Sequence, residues 1–310
     1  RSALSAEYFR NSETTGGGNL MRNAVPVLTV VAVIFALWYG AAVVLNAPWA
    51  YDKAKRADVT LGFSELVADT WSQDKPKLPA PHQVAVEIWN TTGEMVQNGR
   101  AFSKRSLIYH AWVTFSSTML GFVLGTVLGI ALAVGIVYNC TMDMSVMPWA
   151  IVSQTIPIVA LAPMIVVVLY SVGLQGLLPK AIISAYLSFF PVVVGMVKGL
   201  RSPDAMQMDL MRTYSAPTAS VLTKLRLPSS IPYLFASLKI AIAASLVGAI
   251  VGELPVQKGG LGARMLAGSY YGQTAQIWAA LLVAAALAAL LVYAIAALER
   301  RTLRRMGMMP

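Results

Sequence analysis

Three ionisable side chains lie within or at the ends of long apolar stretches of the sequence. Lys180 stands near the start of one stretch, Lys239 lies inside a later one, and Glu253 stands at the end of that later stretch. Charged groups are unfavourable in hydrocarbon, so such residues mark transport paths, gates or proton relays by default. We expect Lys239 to extend to the nearby headgroups. Glu253 is expected to be either part of an outer gate or an ordinary interfacial carboxylate.

Motifs that carry catalytic chemistry are absent from the sequence. No GxxxxGK precedes a Ser or Thr, so the chain is not expected to hold nucleotide phosphates. GxSxG and HExxH are also absent. The two histidines, His82 and His110, do not cluster, and the one cysteine, Cys140, excludes an intrachain disulfide. We expect no catalytic residues, no metal and no cofactor in this chain.

The composition points to a membrane protein. The 310 residues are 57% hydrophobic and only 12% charged, whereas soluble domains carry roughly 25% charged residues. The net charge of +10 is concentrated in residues 198–226 and in ERRTLRR at 299–305. Basic residues gather in this way at the cytoplasmic ends of membrane spans.

Six apolar stretches reach the length of about 20 residues that crosses a bilayer. They cover residues 25–45, 107–137, 144–170, 177–197, 231–251 and 277–298. Backbone groups in lipid must be satisfied within the protein, so the stretches are expected to be helices. The fold class predicted is an all-α, polytopic membrane protein with six transmembrane helices. In the second stretch Gly121, Gly125 and Gly129 share one helix face, which favours close approach of another helix.

The distribution of basic residues predicts the orientation and the domains. With the N-terminus inside, residues 198–230 and the C-terminus also face the cytoplasm, and 47–106 and 252–275 lie outside. We predict a flexible cytoplasmic tail at 1–23, which is not a signal peptide, followed by a first transmembrane helix at 24–46 and an extracytoplasmic segment at 47–106. A five-helix core is expected at 107–298, with two short cytoplasmic helices at 203–227. The chain is then expected to end in a basic cytoplasmic tail at 299–310.

A basic, proline-containing segment interrupts the apolar pattern between the fourth and fifth stretches. It reads MDLMRTYSAPTASVLTKLRLPSSIP over residues 208–232. We predict a helix from about Asp204 to Ser215 with Ser202 as N-cap, since Pro217 disfavours helical geometry in the residue before it. A second short helix is expected over residues 221–225, closed by Pro228. The segment either docks into another protein or simply connects two spans.

The two halves of this segment resemble the EAA loop of ABC-transporter permeases. DLMRTYSAP begins at Asp209, the acidic position of that loop, and LRLPSSIPYLFA begins at Leu225 and carries its closing Leu-Pro. The two usual alanines are replaced by Leu210 and Met211, and the usual glycine by Ser215. Because serine tolerates positive φ less well than glycine, the replacement at Ser215 is the one that bears on the geometry of the turn.

Further runs extend the resemblance over roughly residues 75–300. Several short runs are similar to the nitrate, sulfonate and bicarbonate branch of binding-protein-dependent permeases. They are PIVALAP at 157–163, FFPVVVGMVKGL at 189–200, LPAP at 78–81, and VGAIVGE at 247–253 followed by GLG at 260–262. The resemblance implies a type I importer permease in a bacterial inner membrane. Its substrate would be a small solute, expected to be an anion, although related permeases carry pyrimidine- or riboflavin-like compounds.

The resemblance also implies partners and roles for residues. The partners would be two ATP-binding subunits that hold ATP and Mg²⁺, a second permease copy or a related permease, an extracytoplasmic substrate-binding protein and membrane lipid, but no nucleic acid. The short helices at 203–227 would be coupling helices that seat in an ATP-binding subunit. Residues assigned to this coupling are Asp204, Asp209, Leu210, Arg212, Thr213, Tyr214, Ser215, Ala216 and Pro228.

Polar or helix-breaking residues in the spans are candidates for a translocation path. They are Gln154, Thr155, Pro157, Ser184, Ser188, Ser237 and Ser245. Serine and threonine in membrane helices also bond to backbone or join helices, which is the alternative for these positions. The competing function is a secondary transporter driven by an ion gradient, which would call for intramembrane acids and an internal repeat. A membrane-embedded enzyme would need a catalytic cluster, and none is visible.

Overall fold

The computed structural model describes residues 18–308, with side chains from Val25 onward. Within that range every regular element is helical and no strand occurs, which confirms the all-α fold class. The first 17 residues of the predicted N-terminal tail lie outside the described part, and a helix begins at Gly18. The chain divides into two compact units, one ending at Glu87 and one beginning at Ile88.

Thirteen α-helices are found in the described residues. They are α1 (Gly18–Arg56), α2 (Phe63–Ser72), α3 (Pro81–Thr91), α4 (Gly93–Gln97), α5 (Leu107–Tyr138), α6 (Cys140–Ser153), α7 (Ile158–Ser171), α8 (Leu177–Leu200), α9 (Ala205–Thr213), α10 (Thr218–Val221), α11 (Leu227–Val256), α12 (Leu261–Tyr271) and α13 (Thr274–Arg305). A π-helical turn, Leu222–Arg226, joins α10 to α11.

Five of the described helices are long and apolar enough to cross a bilayer, and a sixth span results if α6 and α7 are counted together. These two helices meet at an angle of 103°. The third predicted span is therefore broken rather than continuous. The break falls directly before Pro157, which has extended backbone and caps α7; a proline lacks the N–H that would continue a helix.

In the first unit, the C-terminal half of α1 is tied to the segment that follows it. The Asn46 side chain donates to the carbonyls of Thr70 at 3.2 Å and Leu78 at 2.9 Å. Its oxygen accepts from the N–H groups of Lys77 at 2.8 Å and Leu78 at 3.2 Å. Asn46 is 1% exposed. Its side chain therefore supplies hydrogen-bond partners to buried backbone groups, and leaving such groups without partners would destabilise the fold.

Two predicted boundaries need correction at the ends of helices. The first transmembrane helix was expected to end at residue 46, but α1 continues to Arg56. The basic tail was expected from residue 299, but α13 continues to Arg305. In both cases charged residues extend the helix without a break, because Lys and Arg are good helix formers.

The centre of the second unit is formed by α5, α8 and α11. A Cβ at Gly121 would overlap the side chain of Ser184 on α8, and one at Gly125 would overlap Ser188. The predicted close approach along the glycine face of α5 is thus confirmed. Buried apolar side chains from the three helices fill the space between them, among them Ile136, Val192, Val193, Met196, Leu200 and Ile242.

Candidate functional site

The segment between α8 and α11 contains a short exposed helix. This helix, α9, has Asp204 as its N-cap, and the Asp204 N–H donates to the Gln207 side chain at 3.2 Å. Ser202 was expected as the N-cap, but its hydroxyl donates instead to the Gly199 carbonyl at the end of α8, at 2.7 Å. No residue of α9 is buried.

The exposed surface of α9 is apolar as well as charged. Met206 is 83% exposed, Leu210 56% and Tyr214, which follows the helix, 76%. Asp209 and Arg212 pair with each other at 3.0 Å, and both side chains are mostly exposed. Such an exposed pair contributes little to stability, about 0–1 kcal/mol. The two charges can therefore exchange partners at little cost.

Ser215 makes the turn that ends this helix. Its φ of 46° lies in the left-handed region, and the next N–H, that of Ala216, donates to the Met211 carbonyl at 3.0 Å. Glycine is the usual residue at such a helix end because it has no Cβ. The serine therefore adopts the backbone geometry that glycine normally supplies.

After this turn the chain enters the fifth span without a stop. The second short helix expected at residues 221–225 is instead α10 and the π-helical turn, which lead directly into α11. Pro228 was expected to close that helix, but it follows the π-helical turn directly and stands inside the continuing helix, near the start of α11. Residues 218–256 therefore form one continuous helical rod.

A buried polar cluster lies at the other end of α11. We define the Glu253 cluster as His110, Thr114, Lys180, Glu253 and the backbone of residues 259–262. Glu253 and Thr114 are fully buried, and Lys180 is 2% exposed. Glu253 was expected either as part of an outer gate or as an interfacial carboxylate, and in the structure its side chain is fully buried between helices.

Hydrogen bonds link every member of the Glu253 cluster to the loop between α11 and α12 or to the first residues of α12. The Glu253 carboxyl accepts from the Thr114 hydroxyl and from the Gly262 N–H, both at 2.8 Å. The Leu261 N–H donates to the Thr114 hydroxyl at 2.8 Å. The Lys180 ammonium donates to the Gly259 carbonyl at 2.8 Å.

His110 completes the Glu253 cluster on the α5 side. Its Nδ1 accepts from the Gly260 N–H at 3.0 Å, and its Nε2 lies 3.0 Å from the Lys104 carbonyl. Sequence reasoning missed His110 and Thr114. The one signal was their spacing of four residues, which places two polar side chains on one face of an apolar helix.

The four serines proposed for a translocation path lie at contacts between helices. The Ser184 hydroxyl donates to the Ser245 carbonyl, and the Ser245 hydroxyl donates to the Thr118 carbonyl, both at 2.8 Å. Ser188 is buried against α5, and Ser237 packs against Gly195 of α8. All four serines are therefore buried where one helix packs on another.

The other three path candidates lie together at the break between α6 and α7. Gln154 is half-buried, and Thr155 and Pro157 are exposed. Non-helical backbone at membrane depth is tolerated where it is covered by protein or lines an aqueous cavity. The break thus exposes polar side chains and non-helical backbone between two helices that are otherwise apolar.

Lys239 has a partner on the last helix. Its ammonium lies 2.7 Å from the Glu299 carboxyl on α13, and both side chains are partly buried. We expected Lys239 to extend to the headgroups, but this ion pair holds α11 to α13. Within the described residues no group of three or more His, Cys, Asp or Glu residues is placed to hold a metal ion.

Comparison with known proteins relates this helical architecture to a family of membrane transport proteins. The family model described as a binding-protein-dependent transport system inner membrane component matches residues 125–307. A probable ABC transporter permease of Haemophilus influenzae is 29% identical over 195 residues, which cover 63% of this chain and 78% of that protein.

Two further relatives have named substrates. The formylaminopyrimidine transport permease of Halalkalibacterium halodurans is 31% identical over 186 residues, covering 60% of this chain and 68% of that protein. A putative aliphatic sulfonates transport permease of Bacillus subtilis is 23% identical over 227 residues, covering 73% and 77%. Since the family model alone matches more than half of the chain, this protein belongs to the ABC transporter permeases of binding-protein-dependent transport systems.

Proposed function

We propose that this chain is the membrane-spanning subunit of an ATP-driven importer for a small anion, with α9 as the element that docks into an ATP-binding subunit. In this proposal the complex holds two permease chains, two ATP-binding subunits and an extracytoplasmic binding protein. Both termini and α9 face the cytoplasm, and the loop between α11 and α12 faces outside. ATP and Mg²⁺ are held by the partner subunits, since this sequence has no phosphate-binding loop.

The observation that carries the proposal is the exposed apolar surface of α9. Met206, Leu210 and Tyr214 are each more than half exposed beside a weak ion pair. A short amphipathic helix of this kind fits a groove in a partner protein. Aromatic and methionine side chains are also enriched at protein interfaces.

The connection of α9 to the spans supports a role in transmission. The turn at Ser215 leads into the continuous helical rod of residues 218–256, which has the Glu253 cluster near its far end. A packed helix moves as a unit rather than deforming continuously. Movement of a partner bound to α9 would therefore reach the opposite end of the bundle through this rod.

The choice of substrate class rests on the relatives. The sulfonate permease of Bacillus subtilis and the nitrate import permease of Leptolyngbya laminosa are named for anions. The formylaminopyrimidine permease and the riboflavin permease of Chloroflexus aurantiacus are counterexamples, since their named substrates are ring compounds rather than inorganic or sulfonic acid anions.

Co-purification tests the docking role of α9. The chain is expressed with the ATP-binding subunit of its own transporter, and the fraction of subunit retained is measured. We expect Leu210→Glu with Tyr214→Glu to abolish retention, as replacement of residues 209–215 by a flexible linker would. The matched control is Tyr270→Glu with Tyr271→Glu, since those side chains are similarly exposed but lie at the end of α12, on the side proposed to face outside. Equal retention by both double variants would refute the docking role.

A further inference from the structure

A cleft of about 500 Å³ opens beside the Glu253 cluster. It is lined by Lys104, Tyr109, His110, Gln257, Lys258 and Gly259. This volume lies within the range of about 300–1,000 Å³ that is typical of small-molecule sites. The lining residues come from the segment before α5, from α5 itself and from the loop after α11, so the cleft is formed by parts of the chain that are distant in sequence.

The side chains that line the cleft favour a negatively charged ligand. Lys104 and Lys258 supply two ammonium groups, Gln257 an amide and Tyr109 a phenol, and no lining residue is a carboxylic acid. Among the residues that the structure describes, neither lysine is in an ion pair. The Lys258 ammonium rests 3.5 Å from the Gln175 amide oxygen, which carries no charge.

The nearby carboxyl group does not neutralise the cleft by direct contact. Glu253 is fully buried, and its two oxygens are occupied by Thr114 and Gly262. Gly260 separates it from the cleft-lining Gly259, and a Cβ at Gly260 would overlap the Glu253 carboxyl group. The ammonium groups at the rim are thus left without a direct acidic partner.

His110 fixes the distance between the two lysine-bearing walls. Its Nδ1 accepts from the Gly260 N–H, so its Nε2 carries the proton and donates to the Lys104 carbonyl, at 3.0 Å in each case. The imidazole of His110 therefore links the backbone of Lys104 with the backbone of Gly260, which follows Lys258 by two residues. The Lys180 ammonium anchors the same loop by donating a hydrogen bond to the Gly259 carbonyl. Such anchoring lowers the entropic cost of binding, because the walls are already in place.

We propose that this cleft is a receiving site for a small oxyanion, of the sulfate, sulfonate or nitrate class, at the entrance of the permease. Lys104 and Lys258 would contact the anion, and Tyr109 and Gln257 would donate further hydrogen bonds. The proposal rests on the proposed function and narrows its substrate class, since a neutral ring compound would gain little from two ammonium groups.

Equilibrium binding of radiolabelled sulfate to the full chain in lipid nanodiscs tests the proposal. Ionic strength is held constant with choline chloride, and nitrate and methanesulfonate are the competitors. We expect saturable binding that both competitors displace and that chloride does not. Lys104→Gln with Lys258→Gln should weaken it about tenfold or more, because each ammonium supplies a charge-assisted hydrogen bond.

Two control variants separate the cleft from general charge and from misfolding. Lys75→Gln with Lys77→Gln removes two exposed lysines outside the cleft and should leave binding unchanged. Lys104→Arg with Lys258→Arg keeps the charges and should restore binding to within about threefold, since less than 0.7 kcal/mol is then lost.

Absence of saturable binding, or equal weakening by both glutamine pairs, would overturn the anion site. The assay contains neither ATP nor an ATP-binding subunit. Its failure would therefore leave the docking test of α9 unaffected, and failure of the docking test would leave anion binding unaffected.

Discussion

The Thr114 hydroxyl donates a hydrogen bond of 2.8 Å to the carboxyl group of Glu253, a residue 139 positions later in the chain. The same hydroxyl accepts from the Leu261 N–H, and the second carboxyl oxygen accepts from the Gly262 N–H. The contact thus joins α5, α11 and the start of α12. Because these groups are buried, water cannot replace a partner that is lost.

Removal of the Glu253 carboxyl group should destabilise the fold. In Glu253→Ala the Gly262 N–H and the Thr114 hydroxyl lose their acceptor, and we expect the free energy of unfolding to fall by about 3 kcal/mol. Denaturant titration in mixed micelles measures the change. Asp209→Ala, which breaks an exposed pair, is the control and should cost under about 0.5 kcal/mol. Equal values for the two variants would show that the Glu253 contacts are not stabilising.

Gly260 should tolerate no side chain. Its φ is +115°, and a Cβ there would overlap the Glu253 carboxyl group. We expect Gly260→Ala to lower the free energy of unfolding by more than about 2 kcal/mol, through backbone strain and the overlap together. Gly272 has φ +66° in open space, so Gly272→Ala should cost only about 1 kcal/mol. The excess over Gly272→Ala reports the overlap with Glu253 together with a backbone region that only glycine readily adopts. A Gly260→Ala variant as stable as Gly272→Ala would contradict this expectation.

The glycine face of α5 gives a third prediction. At Gly121 a Cβ would overlap Ser184 and the Ala181 carbonyl, so Gly121→Ala must push α5 away from α8. We expect a loss of about 1–3 kcal/mol, as for other overpacked cores. Gly40→Ala meets nothing within 4 Å and should be neutral or stabilising by up to about 1 kcal/mol, because alanine is the better helix former. A stabilised Gly121→Ala variant, measured in the same titration, would be the contrary result.

The turn at Ser215 offers a stabilising change. Glycine adopts the observed φ of 46° without a Cβ penalty, so Ser215→Gly should stabilise the end of α9 by about 0.5–1 kcal/mol. Amide hydrogen exchange of residues 211–216 reports this locally, and their exchange should slow. Ser215→Val, with a β-branched side chain, should speed it. Faster exchange in the glycine variant would mean that the turn is not strained.

Much of the fold was predictable from apolar length alone. The stretches at 107–137 and 177–197 agree closely with α5 and α8, because a membrane span must satisfy its own backbone and so must be helical. The third span was harder to predict. Its three prolines indicate weak points, but only Pro157 breaks the helix, while Pro148 and Pro163 lie inside α6 and α7.

The buried polar contacts were not predictable from the sequence. From the sequence alone, Ser184 and Ser245 are candidates for the translocation path. In the structure their hydroxyls are hydrogen-bonded to each other and so join α8 to α11. Likewise, His110 and Glu253 lie far apart in the sequence, and only the packing of α5 on α11 brings them to the same loop. Composition and spacing identify polar residues in a span, but not whether a neighbouring helix or a solute satisfies them.

Chemical labelling of a cysteine placed at Arg212 tests most directly whether α9 faces the compartment that holds ATP. The exposed Cys140 is first replaced by serine, and Tyr270→Cys in the same background marks the opposite face. With a membrane-impermeant maleimide on intact cells, we expect labelling at position 270 only; position 212 should react only in inverted vesicles, and less when the ATP-binding subunit is bound. Labelling of position 212 in intact cells would show that α9 faces away from the ATP-binding subunits.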